Sequence, residues 1–381
     1  MEKDMLIGVP KEIKNNEYRV GLVPSSVREL IANGHQVKVQ QGAGAGIGFD
    51  DAAYKQVGAI VVETAEDIFQ TVDMVIKVKE PQPNECKMLR PGQILFTYLH
   101  LAPDPEQARL LQESGCIAIA YETVTSKTGG LPLLAPMSEV AGRMSIQAGA
   151  TSLEITNGGS GILLGGVPGV APAKVVVLGG GVVGTNAVRM AMGMGARVVV
   201  IDKSLDRLNL LDLQFGSKIM TIYSTADAIE RHVTTADLII GAVLIPGGSA
   251  PRLITRDMLG RMRPGSVMVD VSIDQGGCFE TSRPTTHQNP TYVVDGIVHY
   301  CVSNMPGAVP RTSTFALNNA TLPFVLALAN KGYQKAMQQD PHLLDGLNVY
   351  KGRLTYKAVA KALDQEYTPA ELVIAESISH H

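Results

Sequence analysis

From Met5 onward, short runs of apolar and β-branched residues alternate with stretches whose apolar positions recur at helical spacing. The runs are LIGVP, QVKVQQ, IVVE, DMVIKVK, ILFTYLHL and CIAIAYE, and SSVRELIANG is the clearest helix between them. Such alternation predicts a parallel sheet with crossover helices. Pro24 and Ser25 open that helix and Gly34 lies just past its end. Proline suits a first turn, where its missing N–H is no loss, and glycine takes the left-handed conformation that stops a helix.

A longer helical pattern, roughly Ser138 to Thr156, precedes the Gly-rich stretch NGGSGILLGGVPGVAPA. A second series then starts at Lys174: KVVVLG, RVVVID, IMTIYS, DLIIGAVL, SVMVDVS and TYVVDGI. Six strands with intervening helices are the inventory of a doubly wound dinucleotide fold. After Pro306, TSTFALNNATLPFVLALANKG reads as another long helix, and the remainder reads as helical and polar, without strands. That tail holds too little core for a domain of its own, so it is expected to return to the N-terminal domain. The predicted fold is therefore α/β, with two Rossmann-like doubly wound domains. Residues 137–305 form the dinucleotide domain, inserted into a discontinuous domain of residues 1–136 and 306–381. No short-period repeat is present.

Composition narrows the function. The 381 residues exceed what one core usually serves, and 45% hydrophobic content with 18% charged residues describes a soluble globular protein. A net charge of −3 offers no basic surface for nucleic acid. The opening MEKDMLIGVPKEIK is not laid out as a signal or transit peptide, and Lys174, Arg197 and Asp202 break the longest apolar stretches. A cytoplasmic protein without a membrane partner is expected. Cys86, Cys116, Cys278 and Cys301 are far apart, with no CxxC spacing, and read as core thiols. His380 and His381 resemble the stub of a purification tag and are set aside.

The segment VVVLGGGVVGTNAVRMAMGMGARVVVID carries G-x-G-x-x-G through Gly179, Gly181 and Gly184, directly after a strand and opening a helix. Gly179 permits the tight turn, Gly181 lets the backbone approach a diphosphate, and Gly184 allows helix to pack on strand. The helix N-terminus then offers unpaired N–H groups and the positive end of its dipole to that diphosphate. Asp202 closes the next strand at the interval, about 20 residues on, where a carboxylate meets the adenosine ribose hydroxyls. It would repel a 2′-phosphate, which favours NAD over NADP. GAGAGIG (Gly42 to Gly48) lacks the x-x-G spacing and reads as a turn, and NGGSGILLGG follows no strand.

Chemistry-bearing side chains collect at strand ends, where open parallel sheets bind ligands. Arg19 follows the first strand, and its planar fork suits bidentate capture of a carboxylate. Position alone does not separate it from a surface arginine. Lys79 ends DMVIKVK and His100 ends ILFTYLHL, so adjacent strands bring a cation and an imidazole to one edge. Lys77 shares a strand face with Lys79, and the pattern does not choose between them. In SVMVDVSIDQGG, Asp270 falls inside the apolar run and Asp274 beyond it, toward the expected nicotinamide region. Asp274 is preferred there over a role as a turn cap before Gly276.

At these residues the chain resembles the alanine dehydrogenase family, which is shared with the NAD-binding subunit of proton-translocating transhydrogenase. The similarity runs through GVPKEIKNNEYRVGLVPSSVRELIANG, KVKEP, LFTYLHLA, LLAPMSEVAGR, GGVPGV, IDQGGCFE and CVSNMPGAVPRTST, in order and over nearly the whole chain. The resemblance implies that Arg19 and Lys79 bind the substrate carboxylate and carbonyl oxygen, that His100 is the acid/base, and that Asp274 is the second catalytic residue. For NAD it implies Ser138, Val182, Val183, Asp202, Arg207, Ser224, Val243, Leu244, Ile273, Arg283 and Asn304, beside the three fingerprint glycines. It further implies a homohexamer acting on L-alanine, pyruvate and ammonium. Three positions depart from the family pattern: Val183 stands where an alanine is usual, and Gly21 and Val23 replace alanine and threonine.

The mechanism this implies is hydride transfer from Cα to the nicotinamide, addition of water to the resulting iminium, and proton transfers by His100 and Asp274 through a carbinolamine to pyruvate and ammonium. It calls for no metal, because cationic side chains polarise the carbonyl. Two rival expectations are a transhydrogenase-type NAD-binding subunit and a nucleotide-binding module without catalysis.

Overall fold

The structure, a computed structural model, describes residues 4–244 and 250–379; His380 and His381 lie outside them. It divides into two compact units, one of Met1–Met137 with Val309–His381 and one of Ser138–Ala308.

In the first unit the early apolar runs form β1 (Leu6–Val9), β2 (Gln36–Gln40), β3 (Ile60–Val62), β4 (Met74–Ile76), β5 (Ile94–Thr97) and β6 (Ile117–Ala120). They pair in parallel in the order β3-β2-β1-β4-β5-β6. Every residue of β4, β5 and β6 is buried, as expected of strands covered on both faces. The strand order reverses between β1 and β4, and the loops leaving their C-terminal ends diverge there to leave a crevice. The helix Pro24–Ala32 begins with proline and is closed by Gly34 at φ 90°.

The second unit contains β7 (Lys174–Leu178), β8 (Arg197–Asp202), β9 (Ile219–Tyr223), β10 (Leu238–Gly241), β11 (Val267–Asp270), β12 (Thr291–Val294) and β13 (Ile297–Tyr300). The parallel order β9-β8-β7-β10-β11-β13 repeats that of the first unit, with β12 added antiparallel at the edge. Along β7, Val175 and Val177 pack with Ala187 and Val188 on one face, and Val176 and Leu178 with Ile229 and Val233 on the other. Both faces of the sheet are thus core. The run TYVVDGI, expected to be one strand, is instead a hairpin: Asp295 (φ 50°) and Gly296 (φ 80°) are both left-handed and turn β12 into β13.

The tail also departs from expectation. It supplies β14 (Leu347–Tyr350) and β15 (Arg353–Leu354), hinged at Lys351 (φ 47°) and Gly352 (φ 91°), and β14 pairs antiparallel with β6. The first sheet therefore has eight strands. The helix expected at Ser138–Thr156 spans Ala135–Ser152, and Ile155–Asn157 forms a separate turn ended by Gly158 at φ 86°. The helix after Pro306 runs Pro310–Gln339 and is interrupted at Gly332 (φ 71°, ψ 154°). All four cysteines are buried free thiols. Among the described residues no helix is long and apolar enough to cross a membrane.

Candidate active site

The sequence-selected residues fall into two groups, one in each unit. In the first unit, Arg19, Lys79 and His100 lie on the loops that leave β1, β4 and β5, and Tyr98 stands among them. Its ring stacks on that of His100 with centroids 5.8 Å apart, its hydroxyl donates to the Leu133 carbonyl, and Arg19 lies near enough to act on it electrostatically.

The loop bearing Arg19 is fastened at several points. Glu12 accepts the Val78 N–H at 2.7 Å and the Lys77 ammonium at 3.0 Å, which ties the segment after β1 to the segment after β4. Gly21 passes so close to β4 that a Cβ there would sit 2.6 Å from the Ile76 carbonyl oxygen. Asn318 accepts the Val23 N–H and donates to the Gly21 carbonyl, and Tyr54 donates to that of Leu22. Two of the three family departures thus sit where this loop docks.

Arg19 is 2% exposed. Glu17 takes its Nε and Nη2 at 2.7 Å each, so the side-on edge of the guanidinium already holds a carboxylate. At the other end of the guanidinium, Nη1 lies 3.0 Å from Met137 Sδ. A thioether is a weak acceptor that a carboxylate readily displaces. Burial pushes the Glu17 carboxyl up, but the hydrogen bonds and charge of Arg19 outweigh it and hold the group below its ordinary value.

The structure separates the two lysines. Lys77 is fully buried and held by Glu12 and Glu85 at 3.0 and 2.9 Å. It is a structural ion pair. Lys79 lies half-buried two residues beyond it, and among the described residues its ammonium makes no hydrogen bond. Burial and the neighbouring Arg19 charge lower its pKa. A cation desolvated beside another cation gains from any anion that arrives.

His100 has φ 48°, in the left-handed region that favours glycine. Glu122 holds the backbone there: it accepts the Leu99 N–H at 3.2 Å and the His100 N–H at 2.6 Å. Its Oε1 lies 3.9 Å from Nδ1 of the ring, too far for a hydrogen bond. Strained backbone fixed by surrounding groups points to a functional position. Neither Glu122 nor Glu17 carries a sequence signal for these supporting roles, beyond the closeness of Glu17 to Arg19 in the chain.

In the second unit, β7 leads into the fingerprint turn and the helix Val182–Gly193. The three glycines differ in what a Cβ would meet. At Gly179, with φ 98°, it would lie 2.7 Å from the Ala242 carbonyl oxygen; at Gly184 it would lie 1.7 Å from the Gly179 oxygen; at Gly181 it would meet nothing within 4 Å. The first two glycines are required by the protein's own packing. The third leaves space against backbone N–H groups at an N-terminus that no side chain caps, which fits a bound diphosphate. Asp202 accepts the Gly180 N–H at 2.6 Å and the Ser204 N–H at 2.8 Å, so the carboxylate is fixed at the edge of this turn.

The remaining residues line neighbouring strand ends. Arg207 lies in the first turn of the helix Leu205–Phe215, and Ser224 follows β9, its N–H bonded to the Asp202 carbonyl. Val243 and Leu244 follow β10. Ile273 and Asp274 lie in the turn Val271–Gln275 after β11, with Ile273 4% exposed and Asp274 exposed. Asp270 anchors that turn by accepting the Ser272 and Cys278 N–H groups and the Ser282 hydroxyl, and burial raises its pKa despite these bonds. Arg283 stacks on Tyr292 at 4.0 Å, Asn304 has φ 58°, and Ser138 is half-buried early in its helix.

Residues 8–141 match the profile described as Alanine dehydrogenase/PNT, N-terminal domain, and residues 145–357 that of Alanine dehydrogenase/PNT, C-terminal domain. The chain belongs to the alanine dehydrogenase/PNT family. Within it, the alanine dehydrogenase of Halomonas elongata is 61% identical over 97% of this chain and all of its own length. A solved structure titled L-alanine dehydrogenase superposes with a TM-score of 0.92 at 55% identity, covering 94% of this chain and 99% of the other. A transhydrogenase from Sinorhizobium meliloti, 24% identical with 92% and 99% covered and a TM-score of 0.80, shares the fold.

Proposed function

We propose that this chain catalyses the NAD-dependent, reversible oxidative deamination of L-alanine to pyruvate and ammonium. The observation that carries this reading is the gathering of Arg19 and His100 at Tyr98 with Lys79 beside Arg19, together with a fingerprint turn whose middle glycine faces open space. A module that only binds nucleotide has no need of two desolvated cations beside a strained histidine.

Gly181, Val182 and Val183 would hold the diphosphate of NAD and Asp202 its adenosine ribose, with the other cofactor residues following the family pattern. Bound there, NAD would supply the acceptor for the Cα hydride, and NADH its donor in the reverse direction. Arg19 binds the substrate carboxylate. Lys79 sits over the oxygen that becomes the pyruvate carbonyl, where its charge stabilises developing negative charge. His100 takes a proton from the water that adds at Cα and returns one to the departing nitrogen, with Glu122 fixing the backbone that carries the ring. Asp274 would be the second group that moves protons in the reaction, following the family pattern. The balance in the oxidative direction is alanine, NAD⁺ and water giving pyruvate, ammonium, NADH and one proton.

Assembly as a homohexamer and a cytoplasmic location belong to the same proposal, by likeness to the family. Purified protein mixed with NAD and L-alanine should form NADH together with equal amounts of pyruvate and ammonium. Tight NADH binding without any alanine-dependent turnover would return the reading to a nucleotide-binding module.

A further inference from the structure

Two cavities of about 170 and 240 Å³ in the first unit share Glu80, Asp104 and Gln107 as wall residues. The larger also touches Leu99, His100 and Pro103, and the smaller reaches Lys14 and Glu106. Asp104, Glu106 and His100 are exposed, so the lining joins the imidazole to a second opening at the surface.

Gln107 is 4% exposed, yet both its Nε2 and its Oε1 are buried without a hydrogen-bond partner, and so is Glu80 Oε2. One such orphan costs about 1–3 kcal/mol. Three on one shared wall call for an occupant. Nε2 needs an acceptor, while Oε1 and the carboxylate oxygen need donors. Water supplies both, whereas an ammonium or metal ion would satisfy only the two oxygens. At about 30 Å³ per molecule there is room for several waters. Lys79 and Lys14 hold the Glu80 carboxyl below its ordinary value against the effect of burial, so it remains an acceptor.

We propose that the two cavities hold a chain of ordered water, anchored by Gln107 and Glu80 Oε2, that passes protons between His100 and bulk solvent. This rests on His100 being the acid/base of the reaction above. Each alanine oxidised releases one proton, and a substrate bound against the exposed imidazole would displace bulk water from it. The cavity lining offers the way out. Gln107 touches neither substrate nor cofactor and is a positioning residue for the water.

The test has two parts. A high-resolution crystal structure of the wild-type protein should show waters about 3 Å from both Gln107 amide atoms and from Glu80 Oε2. A dry cavity, or an amide turned onto protein partners, overturns the proposal. Gln107→Leu, with Gln107→Met as a second variant should leucine not fold, should keep the wild-type thermal midpoint and KM values. Its kcat should fall about tenfold, short of the ~10²–10⁴ expected on losing the acid/base itself. The solvent deuterium isotope effect on kcat should rise, and added imidazole should restore rate. An unchanged kcat and isotope effect would remove the relay. A wild-type enzyme inert toward alanine would overturn the catalytic reading itself, a result distinct from ordered water with no kinetic role.

Discussion

Glu17 grips the buried guanidinium of Arg19 from the side, with both contacts at 2.7 Å, and so fixes how that cation is oriented. The pair fixes geometry at the cost of desolvating two charges, and breaking such a pair by removing one partner is expensive.

Glu17→Gln is therefore expected to lower stability at neutral pH by about 3 kcal/mol and to raise KM for alanine, since Arg19 loses its brace. Because the Glu17 pKa is lowered in the fold, its stabilisation is full above the unfolded carboxylate range and disappears as pH falls through the lowered value. Denaturant unfolding as a function of pH should show the wild type losing more stability on the acid side than the variant. Equal acid slopes would contradict this account of the pair.

The two lysines should separate cleanly. Lys77→Met leaves Glu12 and Glu85 buried without their cation and should cost about 3–5 kcal/mol. Lys79→Met should fold with near-normal stability, since desolvation already works against that charge, while kcat/KM for pyruvate collapses. Thermal denaturation beside steady-state kinetics distinguishes the two variants. A stable, active Lys77→Met would refute the structural role assigned to that residue.

Lys79 also sets an alkaline limit. Its pKa lies below the ordinary lysine value because of burial and Arg19, so the site loses its positive charge at lower pH than a free lysine would. Pyruvate binding to the NADH complex should weaken as pH rises through that lowered value, and Lys79→Arg should move the limb upward. Pyruvate itself does not titrate there, which makes its binding by fluorescence quenching the appropriate readout.

The fingerprint glycines make opposite predictions. A Cβ at Gly181 meets no protein atom, and φ −70° is open to alanine. Gly181→Ala should change stability by no more than about 1 kcal/mol while weakening NADH binding many-fold. Gly184→Ala places a methyl 1.7 Å from the Gly179 carbonyl oxygen and should cost about 1–3 kcal/mol or more. Unfolding curves and NADH titrations of the two variants test the division of labour.

Much of this architecture was legible in the chain. The six early strand runs and the Gly179–Asp202 unit carry their signals locally, in β-branched runs and in glycines with distinct steric tasks. What escaped lay in longer-range relations. The β14 strand is a short apolar alternation inside polar sequence, and only its pairing with the edge of β6 makes it a strand. The Asp295–Gly296 turn does have a local signal, the Asp-Gly pair between two apolar runs, but the short β-branched run masks it. Lys77 and Lys79 share the same pattern, and they are told apart by Glu12 and Glu85, residues 65 and 8 positions away. The strain at His100 and its relief by Glu122, 22 positions on, has no signature in sequence spacing.

His100 bears most directly on the central claim, because it separates catalysis from nucleotide binding. His100→Ala should lose about two to four orders of magnitude in alanine-dependent NADH formation while binding NADH as the wild type does. Near-normal turnover in that variant would contradict the account.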